Sequence, residues 1–165
     1  MCYFNTFLAT SLAILSLAGS PLASAQTPPA VKPVRIGMIG PFTGPSSDFG
    51  VPMLRGVQLA IEEINAVGGY LGRPLELVIK DDEGRPDVGL ARAKELMAEG
   101  VTATIGFCNT GFALKSIEGF QDATSQLLVP CPTVSPINAK YPAPDHYIFR
   151  PSANDRIQTP YLVYD

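Results

Sequence analysis

The chain has no tryptophan, one histidine and three cysteines among its 165 residues. A single histidine, His146, is too little for a His-based metal site or a Ser-His-Asp triad. Charge is scarce as well. Asp, Glu, Lys and Arg together make up 16% of the chain, with 12 basic residues against 15 acidic and a net charge of −3. No basic surplus is available to grip a phosphate backbone, which argues against a nucleic-acid partner. What remains is apolar: 46% of residues are hydrophobic, too many for a disordered chain. The length suits one domain with one core rather than two. The 16 prolines and 15 glycines are spread without period, which excludes a collagen-like repeat.

Residues 3–18, YFNTFLATSLAILSLA, are apolar with interspersed Ser and Thr. Gly19, Ser20 and Pro21 then break any helix, and Ala23-Ser24-Ala25 offers small residues at the spacing of a cleavage site. This pattern predicts a secretory signal over 1–25, cut after Ala25. The uninterrupted apolar run is about a dozen residues, short of the roughly 20 that span a bilayer. Residues 1–10 lack the usual Lys or Arg, and no Cys follows Ala25 to accept a lipid. A polar, Pro-rich leader, 26–33, is expected to be mobile, followed by a folded lobe over 34–165. Cleavage removes Cys2 and exports Cys108 and Cys131 to a compartment that permits disulfides. Both follow strand-like runs, so adjacent strand ends could bring them within bonding range; the alternative is two small buried hydrophobes.

The rest alternates strand and helix. Strands are expected at 34–40, 75–80, 101–106, from 127 to 129 and at 147–150. Helices are expected at 51–67, with Leu54, Val57, Ile61 and Ile64 on one face, at 87–99, with Val88, Ala91, Leu96 and Met97 inward, and at 111–125, with Phe112, the Lys115 stem, Ile117 and Phe120 inward. Another opens at Asn154. Short apolar strands between helices predict an α/β fold, an open parallel sheet with helices on both faces. In such a sheet ligands gather beyond the carboxyl ends of the strands. That rule selects the loops 41–50, 106–111 and 130–136.

The loop Gly106-Phe107-Cys108-Asn109-Thr110-Gly111 leads into a helix. Free N–H groups of a first turn and a Thr hydroxyl suit a carboxylate; the plainer reading is a helix cap. No lysine or phosphate-loop spacing points to a nucleoside triphosphate. In the first loop Ser46, Ser47 and Asp48 are candidate caps, and Phe49 is an apolar wall or a tucked core residue. Asp81-Asp82-Glu83 reads as a solvated lead-in to the next helix, favoured there by the macrodipole, rather than as a metal site. Pro130-Cys131-Pro132-Thr133-Val134-Ser135-Pro136 has few donors, so its carbonyls are expected to face a ligand ammonium or amide; the alternative is a stiff connector.

Several motifs occur together: GPFTGPSSDFG, the helix end AIEEINAVGG, the acidic Asp81-Asp82-Glu83 and Ile105-Gly106 ahead of the second loop. With them the stretch 33–165 resembles the N-terminal lobe of periplasmic substrate-binding proteins of the leucine/isoleucine/valine-binding family. The resemblance implies two α/β lobes that close on a ligand and then dock on an ABC permease, the only route to a membrane. Thr110 matches the hydroxyl position that holds the ligand carboxylate with nearby N–H groups at Asn109 and Gly111. Phe49 matches the aromatic of the side-chain pocket. In the fourth-strand loop, where the family reads Pro-x-Ala-Thr-x-Pro, Thr133 supplies the hydroxyl or an offset puts Val134 there, beside Ser135.

These expectations describe an exported binding component, without cofactor, for a small amino acid or a related carboxylate or amide. An aromatic acid is also compatible with the altered fourth-strand loop. The same lobe design serves receptor ectodomains, so a ligand-sensing module is the alternative, and a chain lacking the second lobe is also compatible with a nonfunctional remnant. An enzyme is disfavoured, because no nucleophile–base pair is apparent and His146 lies in a Pro-rich loop.

Overall fold

A computed structural model describes residues 31–141 and 144–164. The expected signal, Cys2 and residues 26–30 of the leader lie outside the described residues. The last leader residues are tied down rather than loose: the Arg73 guanidinium donates to the carbonyls of Lys32 and Pro33, at 2.8 and 3.2 Å.

Five parallel strands, β1 (Val34–Gly40), β2 (Leu75–Asp81), β3 (Ala103–Ile105), β4 (Gln126–Leu128) and β5 (Ile148–Phe149), form one sheet in the order β2-β1-β3-β4-β5. Between them run α1 (Ser47–Ala66), α2 (Pro86–Ala98), α3 (Thr110–Asp122) and the single turn α4 (Pro136–Ala139), and α5 (Asp155–Tyr164) follows β5. This is the expected α/β parallel sheet of a periplasmic-binding-protein-like lobe. From β1 the chain steps one way to β2, then returns past β1 and continues the other way to β5. Right-handed crossovers therefore put α1 on one face and α2, α3 and α4 on the other.

The two faces differ accordingly. Ile39, Thr104, Leu127 and Ile148 point toward α2 and α3 and are fully buried or nearly so. There they join Ala93, Leu96, Phe107, Ile117, Phe120, Val129 and Ile137 in the main core. Strand residues alternate, so the pairing register sends Val34, Ile36, Met38, Leu77, Ile79, Ile105, Leu128 and Phe149 to the other face. Val34 and Met38 are buried there, but Ile79 and Phe149 stay 43% and 41% exposed. A groove of about 460 Å³ opens on this side, with Ile36, Ile64, Tyr70 and Leu75 in its wall.

Several helix faces depart from expectation. Ile64 is 40% exposed, because α1 covers only the β1–β2 end of its face. On α2 the buried residues are Gly89, Ala93 and Leu96, while Ala91 faces water. On α3 they are Phe112, Ala113, Ser116, Ile117 and Phe120, and Lys115 is exposed. Small residues at 89, 93 and 113 let the helices lie close, which a search for large side chains overlooks.

Candidate ligand-binding site

β2 lies on one side of β1 and β3 on the other, so the connections leave β1 and β3 in opposite directions. The crevice of an open α/β sheet forms at such a point, beyond the strands' carboxyl ends. The loops after β1, β3 and β4 all end at this edge.

α1 begins at Ser47, four residues before its expected start, and Ser46 at the N-cap makes no side-chain capping bond. Phe49 is thus in the first turn of a helix, not in a loop, and it is 69% exposed rather than tucked into the core. Pro52 sits in the second turn, where it gives up the helix bond to the Asp48 carbonyl. The tight entry depends on Gly50, because any Cβ there would overlap the Pro41 carbonyl.

Asn109 is the N-cap residue of α3, in extended conformation, and its side chain makes no capping bond. The Phe112 N–H donates to the Asn109 carbonyl at 3.2 Å, but no cap side chain takes up the N–H groups of Thr110 and Gly111. Thr110 and Gly111, the first two helical residues, are exposed.

The β4–α4 loop corrects one expectation. The Thr133 carbonyl accepts from Arg150 Nη1 at 2.7 Å and from the Asp155 N–H at 3.0 Å. The Val134 carbonyl accepts from the same Nη1 at 3.0 Å and from the Ile137 N–H at 3.4 Å. Neither is free for a ligand. Arg150 is the group that sequence reasoning missed; its signal is a lone cation directly after the strand residues Ile148 and Phe149. Thr133, Val134 and Ser135 are all half-buried. Ser135 also borders an open hollow of about 550 Å³ with Asn154, Lys140 and Arg156.

Three sulfurs connect these loops. Cys108 Sγ and Cys131 Sγ are 3.0 Å apart, both free thiols, and Met53 Sδ lies 3.6 Å from the first and 3.8 Å from the second. Met53 is one helical turn beyond Phe49. Cys108 and Cys131 each stand two residues before a candidate hydroxyl, Thr110 and Thr133. The hydrogen bond to Cys131 pushes the Cys108 thiol well up, and burial and the charges of Cys131 and Asp82 add to the effect. The same bond draws Cys131 down against its burial.

The acidic run is not a solvated lead-in. Asp81 accepts from the N–H groups of Phe42, Thr43 and Glu83 and from the Thr43 hydroxyl, which fastens the β1–α1 loop to the end of β2. Burial raises its pKa, but the Thr43 hydroxyl and the N–H bonds outweigh that and leave it below the usual carboxylate range. Asp82 is fully buried; its Oδ1 takes the Gly84 N–H at 2.9 Å and its Oδ2 has no partner. Burial raises its pKa, against the Gly84 bond and with help from the Asp81 charge. No group of three His, Cys, Asp or Glu side chains suited to a metal occurs among the described residues.

The two carboxylates have opposite linkage. Asp81, lowered in the native state, stabilises the fold above about pH 4, and that contribution fades as pH falls through its native value. Asp82, raised in the native state, favours the fold below about pH 4, and that contribution is lost as pH rises through its raised value. Urea unfolding of Asp82→Asn should therefore show a flatter pH dependence across that rise and unchanged or higher stability at pH 7. Asp81→Asn should lose about 1–2 kcal/mol at pH 7, the modest figure reflecting three contacts that face water. Equal pH profiles for the parent and Asp82→Asn would remove Asp82 from this role.

The His146 ring lies 5.1 Å from that of Phe149 and is tilted 48° to it, at the β5 edge of the sheet.

Comparison with known proteins places this architecture. The Leu/Ile/Val-binding protein BraC3 of Rhizobium johnstonii is 35% identical over 105 residues, which cover 64% of this chain and 27% of that protein. A crystal structure described as a putative branched-chain amino acid ABC transporter from Silicibacter pomeroyi superposes with a TM-score of 0.71 at 30% identity, over 81% of this chain and 35% of that one. An ABC transporter substrate-binding protein from Desulfitobacterium hafniense in complex with Leu gives a TM-score of 0.69 at 28% identity, over 81% and 39%. The chain thus spans about a third of the length of such relatives. Residues 33–164 match the family model of periplasmic binding proteins, and with the sheet order and these kinships the chain belongs to that family, in its leucine/isoleucine/valine-binding branch.

Proposed function

We propose that this chain forms one ligand-grasping lobe of an exported solute-binding protein, which takes a small amino acid or a related carboxylate or amide and delivers it to an ABC permease. Family membership argues for binding rather than turnover. The observation that carries the reading is the uncapped start of α3 at the β1/β3 crevice. Its Thr110 and Gly111 N–H groups and the Thr110 hydroxyl form a donor set for a carboxylate, strengthened by the positive end of the helix. Phe49 supplies an apolar wall from α1. Thr133 and Ser135 supply hydroxyls from the β4–α4 loop, which Arg150 holds in place through the Thr133 and Val134 carbonyls. Relatives named for leucine, isoleucine and valine support an amino acid as the ligand class.

Isothermal titration with L-leucine, other amino acids and small carboxylic acids tests this. The measurement is made on the chain itself and on a hybrid that continues into the second lobe of a Leu/Ile/Val-binding relative. Saturable heat with at least one carboxylate ligand is expected. Thr110→Val in the hybrid should weaken that binding by about 1–3 kcal/mol, between roughly fivefold and a hundredfold. An unchanged dissociation constant would take Thr110 out of the site, and silence across the whole panel would count against the function.

A further inference from the structure

We propose that Cys108 and Cys131 are a dithiol–disulfide couple whose oxidised form clasps the loop after β3 to the loop after β4. The pairing register leads to this arrangement. Ile105 of β3 lies opposite Leu128 of β4, and the Gly106 N–H still donates to the Leu128 carbonyl at 3.0 Å. Cys108 is three residues beyond Ile105 and Cys131 three beyond Leu128, so the same register sets them opposite one another where the strands end. Neighbouring strands run about 4.8 Å apart, within the Cα separation that disulfides bridge. The sulfurs are already 3.0 Å apart, and a bond requires them to close by about 1 Å. Both side chains are half-buried, so a small disulfide can reach them from solvent.

The chemistry is thiol–disulfide exchange with a low-molecular-weight disulfide, RSSR. The Cys131 thiolate attacks one sulfur of RSSR, a Cys131–SR bond forms, and RS⁻ leaves and takes up a proton. Cys108 then loses its proton to solvent and attacks Cys131 Sγ; the Cys131–SR bond breaks and a second RS⁻ leaves and is protonated. Overall, two protein thiols are oxidised to one disulfide while RSSR is reduced to two RSH. The order of attack follows from the hydrogen bond between the pair, which favours the thiolate at Cys131 and the thiol at Cys108.

The clasp closes a loop 23 residues apart in sequence. It also fixes the start of α3, with Thr110, against the segment that carries Thr133. The bond can be detected without any ligand, so its presence or absence is read independently of the proposed transport role.

The reduced protein, with Cys2→Ser to remove the third thiol, is treated with oxidised glutathione and digested with trypsin without reduction. Cleavage after Lys94, Lys115 and Lys140 puts Cys108 in peptide 95–115 and Cys131 in peptide 116–140. The expected product is these two peptides joined, in a protein about 2 Da lighter than the reduced form. The oxidised protein should also melt about 10 °C higher than the reduced one, a gap that dithiothreitol abolishes and that Cys108→Ser does not show. Two peptides that stay separate, each with a free or glutathione-capped thiol, would overturn the proposal. So would retention of both thiols with a monovalent copper ion shared with Met53.

Discussion

Gly106→Ala is expected to cost at least about 3 kcal/mol, enough to leave little folded protein at 37 °C. A Cβ at 106 would overlap both the Cγ2 atom and the carbonyl oxygen of Ile39. Neither can retreat. Ile39 is fully buried in the main core, and its strand is paired on both sides, with β2 and with β3. The insertion therefore pushes on backbone in the middle of the sheet, where packing density leaves no slack. Gly111→Ala is the matched control. Its Cβ meets nothing within 4 Å, and alanine is the better helix former, so this variant should be neutral or more stable by up to about 1 kcal/mol. Urea unfolding of the two variants checks the pair. If Gly106→Ala unfolds within about 1 kcal/mol of the parent, the close approach of the β3–α3 connection to β1 is not as described.

The fold was legible wherever the hydrophobic pattern is long and bounded. Residues 34–40 form an apolar run between Pro33 and Pro41, and the strand occupies the same residues. The parallel sheet follows from the alternation of such runs with helices, and the order of the strands adds the distinction between the two faces. The start of α1 was not legible. Gly, Pro and Ser are dense in 44–50, and Pro52 looks like a first-turn proline. Tertiary contact overrides that local signal: Gly50 lets the first turn rest directly on the Pro41 carbonyl, so the helix begins sooner. The turn α4 was missed for a similar reason, since four residues carry too little period to register.

At the site, the loops were legible and their internal bonding was not. The rule for open sheets selects the edges from position alone. It cannot show that Arg150, 17 residues away in sequence, fills the Thr133 carbonyl, because a cation after a short strand has many possible partners. Nor can composition show that Asp82 is fully buried while its neighbour Asp81 binds a loop. Adjacent residues of a strand end face opposite ways, so a run of acids that looks uniform divides into two environments.

The asymmetry of the two sheet faces yields the second large effect. Phe120→Ala should cost about 3–5 kcal/mol. Phe120 is fully buried on α3, on the face that also buries Ala113, Ser116 and Ile117, and it belongs to the core with Leu127 and Ile148. Its removal leaves an aromatic-sized void between a helix and a sheet that small residues already hold close together, so collapse into the space is limited. The opposite face predicts the contrast. Ile79 is 43% exposed there, so Ile79→Ala removes apolar area that is only partly withdrawn from water and should cost about 1 kcal/mol. Matched urea melts decide it. A cost for Phe120→Ala no larger than that for Ile79→Ala would mean that stability is shared evenly between the faces. The expected several-fold difference would locate it under α2 and α3, the layer that also carries Thr110 at the start of its second helix. The donors proposed to hold a carboxylate would then stand on the most rigid part of the lobe, as a site that must keep its geometry without a ligand requires.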